Sequence, residues 1–117
     1  MKKVFYLKSC STCIRIMKEL ELSGFEQVNI KSQGISVEDL ELMYSLSGSY
    51  ESLFSRKAMK YRSMGLNERT LTEEEYKKYI LEEYTFLKRP VFVIENEVFI
   101  GNSKKNIEAV KAKLESI

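Results

Sequence analysis

Apolar residues form short runs near both ends of the chain and recur every three or four positions between those runs. Residues 3–7 form an apolar and aromatic run that is typical of a strand. Residues 11–22 carry apolar side chains at helical spacing, and residues 25–30 alternate between apolar and polar side chains. The first third of the chain is therefore predicted to be a βαβ unit.

The middle of the chain is predicted to be helical. One helix begins at Ser36 and is broken by Gly48, and a second covers residues 50–63. Thr72 begins a third helix that runs to about residue 83, because a glutamate three positions later completes a capping box. One face of the first of these helices carries Val37, Leu40 and Tyr44.

The end of the chain returns to strands. Residues 90–94 and 98–100 flank a polar turn and predict a hairpin, and a helix follows from Ser103. One βαβ crossover together with one hairpin requires a mixed sheet, which helices must cover. The pattern therefore predicts an α/β or α+β protein.

Composition and charge exclude several classes of function and localisation. The 117 residues are enough for one domain, and 19 basic against 17 acidic residues give a net charge of +2. Such a weak positive charge argues against nucleic acid as a direct ligand. The apolar runs are too short to span a membrane, and the charged start does not resemble a secretory leader, so we expect a cytoplasmic protein.

The chain contains no histidine and two cysteines. The absence of histidine excludes Ser-His and Cys-His nucleophile pairs and histidine metal ligands. Two thiols do not complete a structural zinc site, so we expect no metal. Any chemistry must come from cysteine, lysine, arginine, tyrosine or carboxylate side chains.

The two cysteines, Cys10 and Cys13, enclose Ser11 and Thr12 at the predicted junction of the first strand and the first helix. A C-x-x-C motif at such a junction is typical of a thioredoxin-like redox site. The N–H groups and the dipole at a helix N-terminus lower the pKa of a nearby thiol. We therefore expect Cys10 to be the nucleophile, with Cys13 placed to resolve an adduct as a disulfide.

Two other interpretations of the cysteines stay open. Cys13 shares a helix face with Ile16 and Leu20, so it also fits a buried hydrophobic position. A structural disulfide between Cys10 and Cys13 would contribute only about 2 kcal/mol in the chain-entropy model, and a reducing cytoplasm would remove it. The spacing and position favour the redox interpretation.

Further motifs follow the C-x-x-C in a characteristic order: Gly48, then Ser55-Arg56, then Leu87-Lys88-Arg89-Pro90-Val91, then Val98-Phe99-Ile100-Gly101-Asn102 before a helix. In this order and spacing the sequence resembles the arsenate reductase (ArsC)/Spx family of thioredoxin-fold proteins over nearly the whole chain. The resemblance implies an α/β, thioredoxin-like fold: a mixed four-stranded sheet with helices on both sides and a helical insertion in the middle.

The resemblance also implies a domain organisation. Residues 1–117 would form a single domain, whose thioredoxin-like parts cover about 1–30 and 86–117. The helical insertion would cover about 31–85.

The resemblance implies that Arg56 and Arg89 hold an oxyanion beside Cys10, a task that suits guanidinium groups because they bind oxyanions in a bidentate manner. On the sequence alone, Arg56 would be interpreted as a solvated charge in a basic run. The resemblance further implies that Pro90 is a cis proline facing the cysteines. The alternative is a trans proline at a strand edge.

The sequence departs from the arsenate reductases of the family at two positions. Asn102 stands where those enzymes carry a third arginine. Ile14 stands where they carry an arginine four residues after the nucleophile, and Arg15 follows it directly. The predicted substrate-binding set is therefore Arg56, Arg89 and Asn102. The substrate is left open between arsenate, another oxyanion and a thiol adduct.

Two functions follow as expectations. The first is a thiol-dependent oxidoreductase resembling the glutathione- and glutaredoxin-coupled arsenate reductases. We expect it to be monomeric and to have no tightly bound cofactor. Its electron donor would be glutathione, glutaredoxin or thioredoxin. The alternative is an Spx-like redox-sensing regulator, in which a C-x-x-C disulfide is the switch. The resemblance then implies that the region around Gly48 contacts the RNA polymerase α subunit.

Overall fold

The computed structural model describes residues 1–117 and contains four strands, six α-helices and three short 3-10 turns. The strands are β1 (Lys2–Tyr6), β2 (Glu26–Asn29), β3 (Val91–Ile94) and β4 (Glu97–Ile100). The helices are α1 (Ser11–Lys18), α2 (Ile30–Gln33), α3 (Val37–Ser47), α4 (Met59–Ser63), α5 (Glu73–Glu82) and α6 (Lys104–Ser116). The 3-10 turns are Glu51–Leu53, Leu66–Glu68 and Tyr84–Phe86.

The chain divides into two compact units. The first, which we call the sheet unit, comprises Met1–Gly34 and Arg89–Ile117, and the second, the helical unit, comprises Ile35–Lys88. The expectation of a single domain stays a prediction.

The four strands form one mixed sheet in the order β2-β1-β3-β4. Strand β1 pairs with β2 in parallel and with β3 in an antiparallel manner, and β3 pairs with β4 as a hairpin. Helix α1 provides the crossover between the parallel strands. The mixed four-stranded sheet, the βαβ unit and the hairpin that the sequence predicts are therefore confirmed.

One face of the sheet packs against α1 and α6. Buried side chains from β1 and β3 meet apolar residues of the two helices in this core: Val4, Phe92 and Ile94 from the strands, and Ile16, Leu20, Ile107 and Val110 from the helices and the residues that follow α1. Phe25 adds an edge-to-face contact to Phe92, with ring centroids 6.5 Å apart. This core holds the N-terminal end of α1 at the end of β1.

In the helical unit, side chains form hydrogen bonds with backbone groups at the ends of the helices, and an aromatic cluster fills the interior. Thr72 and Glu75 form the predicted capping box of α5, and Gly48 ends α3 with a left-handed backbone at φ 86°. The carboxylate of Glu73 accepts the backbone N–H groups of Tyr50 and Glu51, at 2.7 and 3.2 Å. The cluster consists of Phe54, Tyr61, Tyr76, Tyr79 and Phe86.

The predicted helix over residues 50–63 is wrong in its middle. The structure instead has a 3-10 turn, an extended segment and the short helix α4. Phe54 is extended and pairs with Leu87 in an antiparallel bridge, while the N–H of Lys88 donates to the carbonyl of Leu53 at 2.8 Å. These backbone bonds come from distant residues and replace helical ones, so local spacing did not reveal the break.

Helix α1 is shorter than predicted, ending at Lys18 instead of residue 22. Beyond it the chain turns, so that Leu22 and Phe25 pack on the same core as Leu20. The buried face of α3 also differs in detail, because Leu40 and Met43 are buried while Val37 and Tyr44 are exposed. The four-residue helix α2 was not predicted.

No helix combines the length and the apolar character that a membrane crossing requires.

Candidate active site

Cys10 lies between β1 and α1, in the N-cap position of the helix with an extended backbone. The N–H of Cys10 donates to the carbonyl of Leu7 at 2.9 Å, and the carbonyl of Cys10 accepts the N–H of Ile14 at 3.2 Å. These two bonds connect Cys10 to the residue that follows β1 on one side and to the first turn of α1 on the other. The first turn of α1 contains no acidic residue, so nothing there opposes a negative charge on the sulfur.

The pKa of the Cys10 thiol is lowered from its ordinary value. Partial burial raises the pKa, but this effect is outweighed by groups that favour the thiolate. They are the backbone N–H and the thiol of Cys13, the positive charge of Arg89 and the backbone N–H of Thr12. Cys10 thus holds more thiolate near neutral pH than a free cysteine does, and it is partly accessible.

Cys13 lies one turn further along α1 and is fully buried. Burial is the largest influence on its thiol and raises the pKa to about 11, with a further increase from the hydrogen bond to Cys10 and from the Cys10 charge. Both cysteines are reduced in the structure. At neutral pH the Cys13 thiol is therefore protonated and donates to the Cys10 sulfur.

Arg89 is the cation that acts on both thiols. It precedes β3, it is half-buried with a buried Nε atom, and its charge lowers the pKa of both Cys10 and Cys13. The Arg89–Pro90 peptide bond is cis, as the resemblance implies, and Pro90 is buried. The structure thus brings Cys10, Cys13 and Arg89 together.

An open groove of about 590 Å³, which we call the α1 groove, runs along α1, and Cys10 itself does not line it. Ser9 and Ser11, the neighbours of Cys10 in sequence, line it together with Lys8, Arg15 and Lys18, and with Ile14 and Glu19. Neither Lys8 nor Lys18 belongs to a motif that predicts a role from the sequence. They lie ten residues apart and line the same groove in the folded protein.

Arg56 belongs to the helical unit. Its guanidinium donates to the Glu51 carboxylate at 2.7 Å and to the Tyr76 hydroxyl at 3.0 Å. It also lies 5.9 Å from the centre of the Tyr76 ring, and the hydrogen bond to Glu51 raises its pKa. Arg56 is thus not a freely solvated charge, and its part in substrate binding stays a prediction.

Asn102 lies in the sheet unit, where it is exposed just before α6. It lines a second groove, of about 370 Å³, together with Arg15 of α1, with Glu19 just after that helix, and with Lys104 and Lys111 of α6. Cys10 does not line this groove. A substrate contact from Asn102 stays a prediction.

Comparison with known proteins places the sequence in a family. The model of the ArsC family matches residues 5–110. No curated protein matches the sequence at a significant level.

Solved structures share the fold along almost the whole chain. A crystal structure described as an ArsC-family-related protein from Bacteroides fragilis has a TM-score of 0.78 and 26% identity, covering 94% of this chain and 97% of its own. An arsenate reductase from Vibrio cholerae has a TM-score of 0.72 and 21% identity, and the match covers 99% of this chain and 97% of the reductase. A protein related to arsenate reductase from Brucella melitensis has a TM-score of 0.70 and 21% identity, covering 92% of each chain.

These likenesses confirm the predicted thioredoxin-like fold. The family model covers the end of the first strand, the C-x-x-C motif, Arg89-Pro90 and the first half of α6. The chain therefore belongs to the ArsC family.

Proposed function

We propose that this protein is a thiol-dependent oxidoreductase that reduces an oxyanion of the arsenate type, with Cys10 as the nucleophile. The observation that carries the proposal is the environment of Cys10: a partly accessible thiol at the N-terminus of α1, with its pKa lowered by backbone N–H groups, the Cys13 thiol and Arg89. Membership in the ArsC family supports the same chemistry.

The first step of the proposed reaction forms a bond between sulfur and arsenic. The Cys10 thiolate attacks the arsenic of arsenate, and one arsenate oxygen leaves as water after taking up protons. In this proposal Arg89 neutralises the anion, which its electrostatic effect on Cys10 supports. Arg56 and Asn102 are the further candidates for oxyanion binding that the sequence predicts.

The second step transfers two electrons. An incoming thiolate attacks the Cys10 sulfur, an S–S bond forms, and the S–As bond breaks with its electron pair remaining on arsenic. Arsenic is thereby reduced from As(V) to As(III) and leaves as arsenite. A second thiol then attacks the disulfide and returns Cys10 to the thiolate.

We further propose that the electrons come from glutathione or from a protein thiol such as glutaredoxin or thioredoxin. No step requires a tightly bound cofactor. Because these donors are kept reduced in the cytoplasm, the proposed reaction also implies a cytoplasmic location.

A coupled assay tests the proposal. The protein is incubated with arsenate, glutathione, glutaredoxin and glutathione reductase, and the loss of NADPH is followed. Arsenate-dependent turnover that Cys10→Ser abolishes and Cys13→Ser retains is the expected result. No arsenate-dependent turnover by the wild-type protein would contradict it, and if the protein also retains the RNA polymerase α subunit in a pull-down, the Spx-like regulator is the better interpretation.

A further inference from the structure

Arg56 is held at one nitrogen atom by two acceptors of the helical unit. Its Nη2 atom donates to the Glu51 carboxylate at 2.7 Å and to the Tyr76 hydroxyl at 3.0 Å. Tyr76 is itself fixed, because it is buried and its ring packs against Phe54 with centroids 4.9 Å apart. The charged side chains are about half exposed, 47% for Arg56 and 54% for Glu51. The guanidinium is therefore both positioned and accessible to an anion from solution.

An oxyanion bound by Arg56 must share the Nη2 atom with these acceptors. A guanidinium has two bidentate edges, Nε with Nη2 and Nη1 with Nη2, so binding at either edge uses an Nη2 hydrogen. In the structure both Nη2 hydrogens are engaged, one by Glu51 and one by Tyr76. An anion displaces the neutral hydroxyl more easily than the carboxylate, because the bond between two charged groups is the stronger one. The bound oxyanion then lies beside the Glu51 carboxylate.

A carboxylate beside a bound anion discriminates between oxyanions by their protons. An ionised carboxylate only accepts hydrogen bonds, so it attracts a protonated oxygen and repels a bare one. At neutral pH arsenate and phosphate keep at least one O–H group, whereas sulfate keeps none. The Oε1 atom of Glu51 accepts no hydrogen bond within the protein, and Glu51 pairs with no cation besides Arg56. Glu51 therefore has an acceptor available for the proton of a bound oxyanion.

We propose that Glu51 determines the oxyanion specificity at Arg56, favouring anions that carry an O–H group, such as arsenate and phosphate, over fully deprotonated ones such as sulfate. The proposal rests on the proposed function, in which Arg56 is a candidate for oxyanion binding. In the bound state Arg56 donates to oxygens of the anion, and the Glu51 carboxylate accepts the O–H of a further oxygen. Sulfate presents a bare oxygen at that place, and the repulsion between the two negative groups weakens its binding.

The test measures anion binding without any reaction. Reduced, isotope-labelled protein is titrated with inorganic phosphate or with sulfate near neutral pH, and chloride keeps the ionic strength constant. The backbone N–H signals of Glu51 and Arg56 are followed by NMR, and each titration gives a dissociation constant. The ratio of the sulfate constant to the phosphate constant measures the preference for a protonated anion.

We expect the wild-type protein to bind phosphate about fivefold more tightly than sulfate, which is the effect of a repulsion between two unit charges about 4 Å apart in water. Glu51→Gln should remove the preference, mainly because sulfate binds more tightly when an amide N–H can donate to its oxygens. The control Glu38→Gln removes the same charge from an exposed position in the first turn of α3 and should keep the preference. Arg56→Gln should weaken the binding of both anions.

Equal binding of the two anions by the wild type, or binding of neither, would overturn the proposal. A Glu51→Gln variant that binds both anions more tightly or more weakly by the same factor would also overturn it. Glu51 would then only compete for Arg56 or only support it, without discriminating between anions. Phosphate binding that persists unchanged in Arg56→Gln would place the anion elsewhere and would reject the site.

Failure of the proposed function gives a different result. A phosphate preference that depends on Glu51 and Arg56, without any arsenate-dependent turnover, would support the specificity and reject arsenate reduction. Arsenate-dependent turnover by a wild-type protein that binds sulfate and phosphate equally would support the reaction and reject the role of Glu51.

Discussion

At the scale of single residues, two cysteines three positions apart have opposite electrostatic environments. Cys10 is partly accessible and its pKa is lowered, whereas Cys13 is fully buried and its pKa is raised to about 11. The hydrogen bond between them contributes to both shifts, because it stabilises the Cys10 thiolate and requires the proton of Cys13. In this pair Cys13 therefore acts as a donor that keeps Cys10 ionised.

Replacing Cys13 tests this donor role. Cys13→Ala removes the donor and should shift the pH at which Cys10 alkylation reaches half its maximal rate upward, toward the value for an ordinary thiol. Cys13→Ser keeps an O–H donor and should shift it less. The alkylation rate is measured against pH by mass spectrometry. Identical profiles for the wild type and both variants would show that the Cys13 thiol does not stabilise the thiolate.

Replacing Arg89 separates its charge from its shape. Arg89→Gln removes the charge and should raise the pKa of Cys10, since Arg89 favours both thiolates. Arg89→Lys keeps the charge and should leave the pKa nearly unchanged, but it loses the bidentate fork and should raise the KM for arsenate about tenfold. Alkylation profiles and steady-state kinetics are the two measurements. A KM that stays at the wild-type value in Arg89→Lys would exclude bidentate binding of the oxyanion by Arg89.

The raised pKa of Cys13 also predicts how stability depends on pH. The unfolded state loses the Cys13 proton near pH 9, and the folded state keeps it until about pH 11. The unfolded state therefore binds fewer protons in this window, so the free energy of unfolding falls as pH rises. Between pH 8 and pH 11, the free energy of unfolding of the wild type, measured by urea denaturation, should fall by about 2 kcal/mol more than that of Cys13→Ser. A constant difference between the two proteins would contradict the raised pKa.

At the scale of elements, short-range side-chain chemistry decides where most helices begin and end. Ser36, Thr72 and Ser103 are N-caps whose hydroxyls accept a backbone N–H three residues later, and Gly48 ends α3 with a left-handed backbone. Residues that make such caps are recognisable in a sequence. The break in the predicted helix over residues 50–63 has no such local cause, because it depends on backbone bonds to residues 86–88.

The capping box of α5 should be measurable as stability. Thr72→Ala removes the hydroxyl that accepts the N–H of Glu75 at 3.2 Å and should lower the free energy of unfolding by about 1 kcal/mol. The matched control is Thr70→Ala at an exposed position outside the helix, which should change the stability by less than about 0.5 kcal/mol. Equal losses in the two variants, measured by urea denaturation, would show that the cap does not contribute.

At the scale of the whole molecule, the candidate site depends on the core between the sheet and helices α1 and α6. That core holds β1, β3 and α1 in one unit, and the three elements place the C-x-x-C motif and Arg89 in the same region. Phe92 lies in this core with no exposed surface, whereas Phe99 is only partly buried beside it. The site should therefore be lost when the core is lost.

Truncating these two phenylalanines compares a buried with a partly buried position. Phe92→Ala should cost about 3–5 kcal/mol, a large part of the stability of a protein this size, and Phe99→Ala should cost clearly less. The lowered pKa of Cys10 should persist in Phe99→Ala as long as the protein is folded. Denaturation and the Cys10 alkylation profile are the measurements, and a Phe99 variant less stable than the Phe92 variant would contradict the described core.

The sequence by itself determined what depends on neighbouring residues. Apolar spacing predicted most helices and strands, capping chemistry located the ends of α3 and α5, and the C-x-x-C motif identified Cys10 as a thiol at a helix N-terminus. Only the tertiary structure decided that Cys13 is fully buried and that Lys8 and Lys18 line one groove. It also decided that the chain leaves the helix at Phe54. The reason is physical: burial, electrostatic fields and bonds between distant backbone groups depend on residues far apart in sequence, and spacing along the chain does not reveal which of them meet.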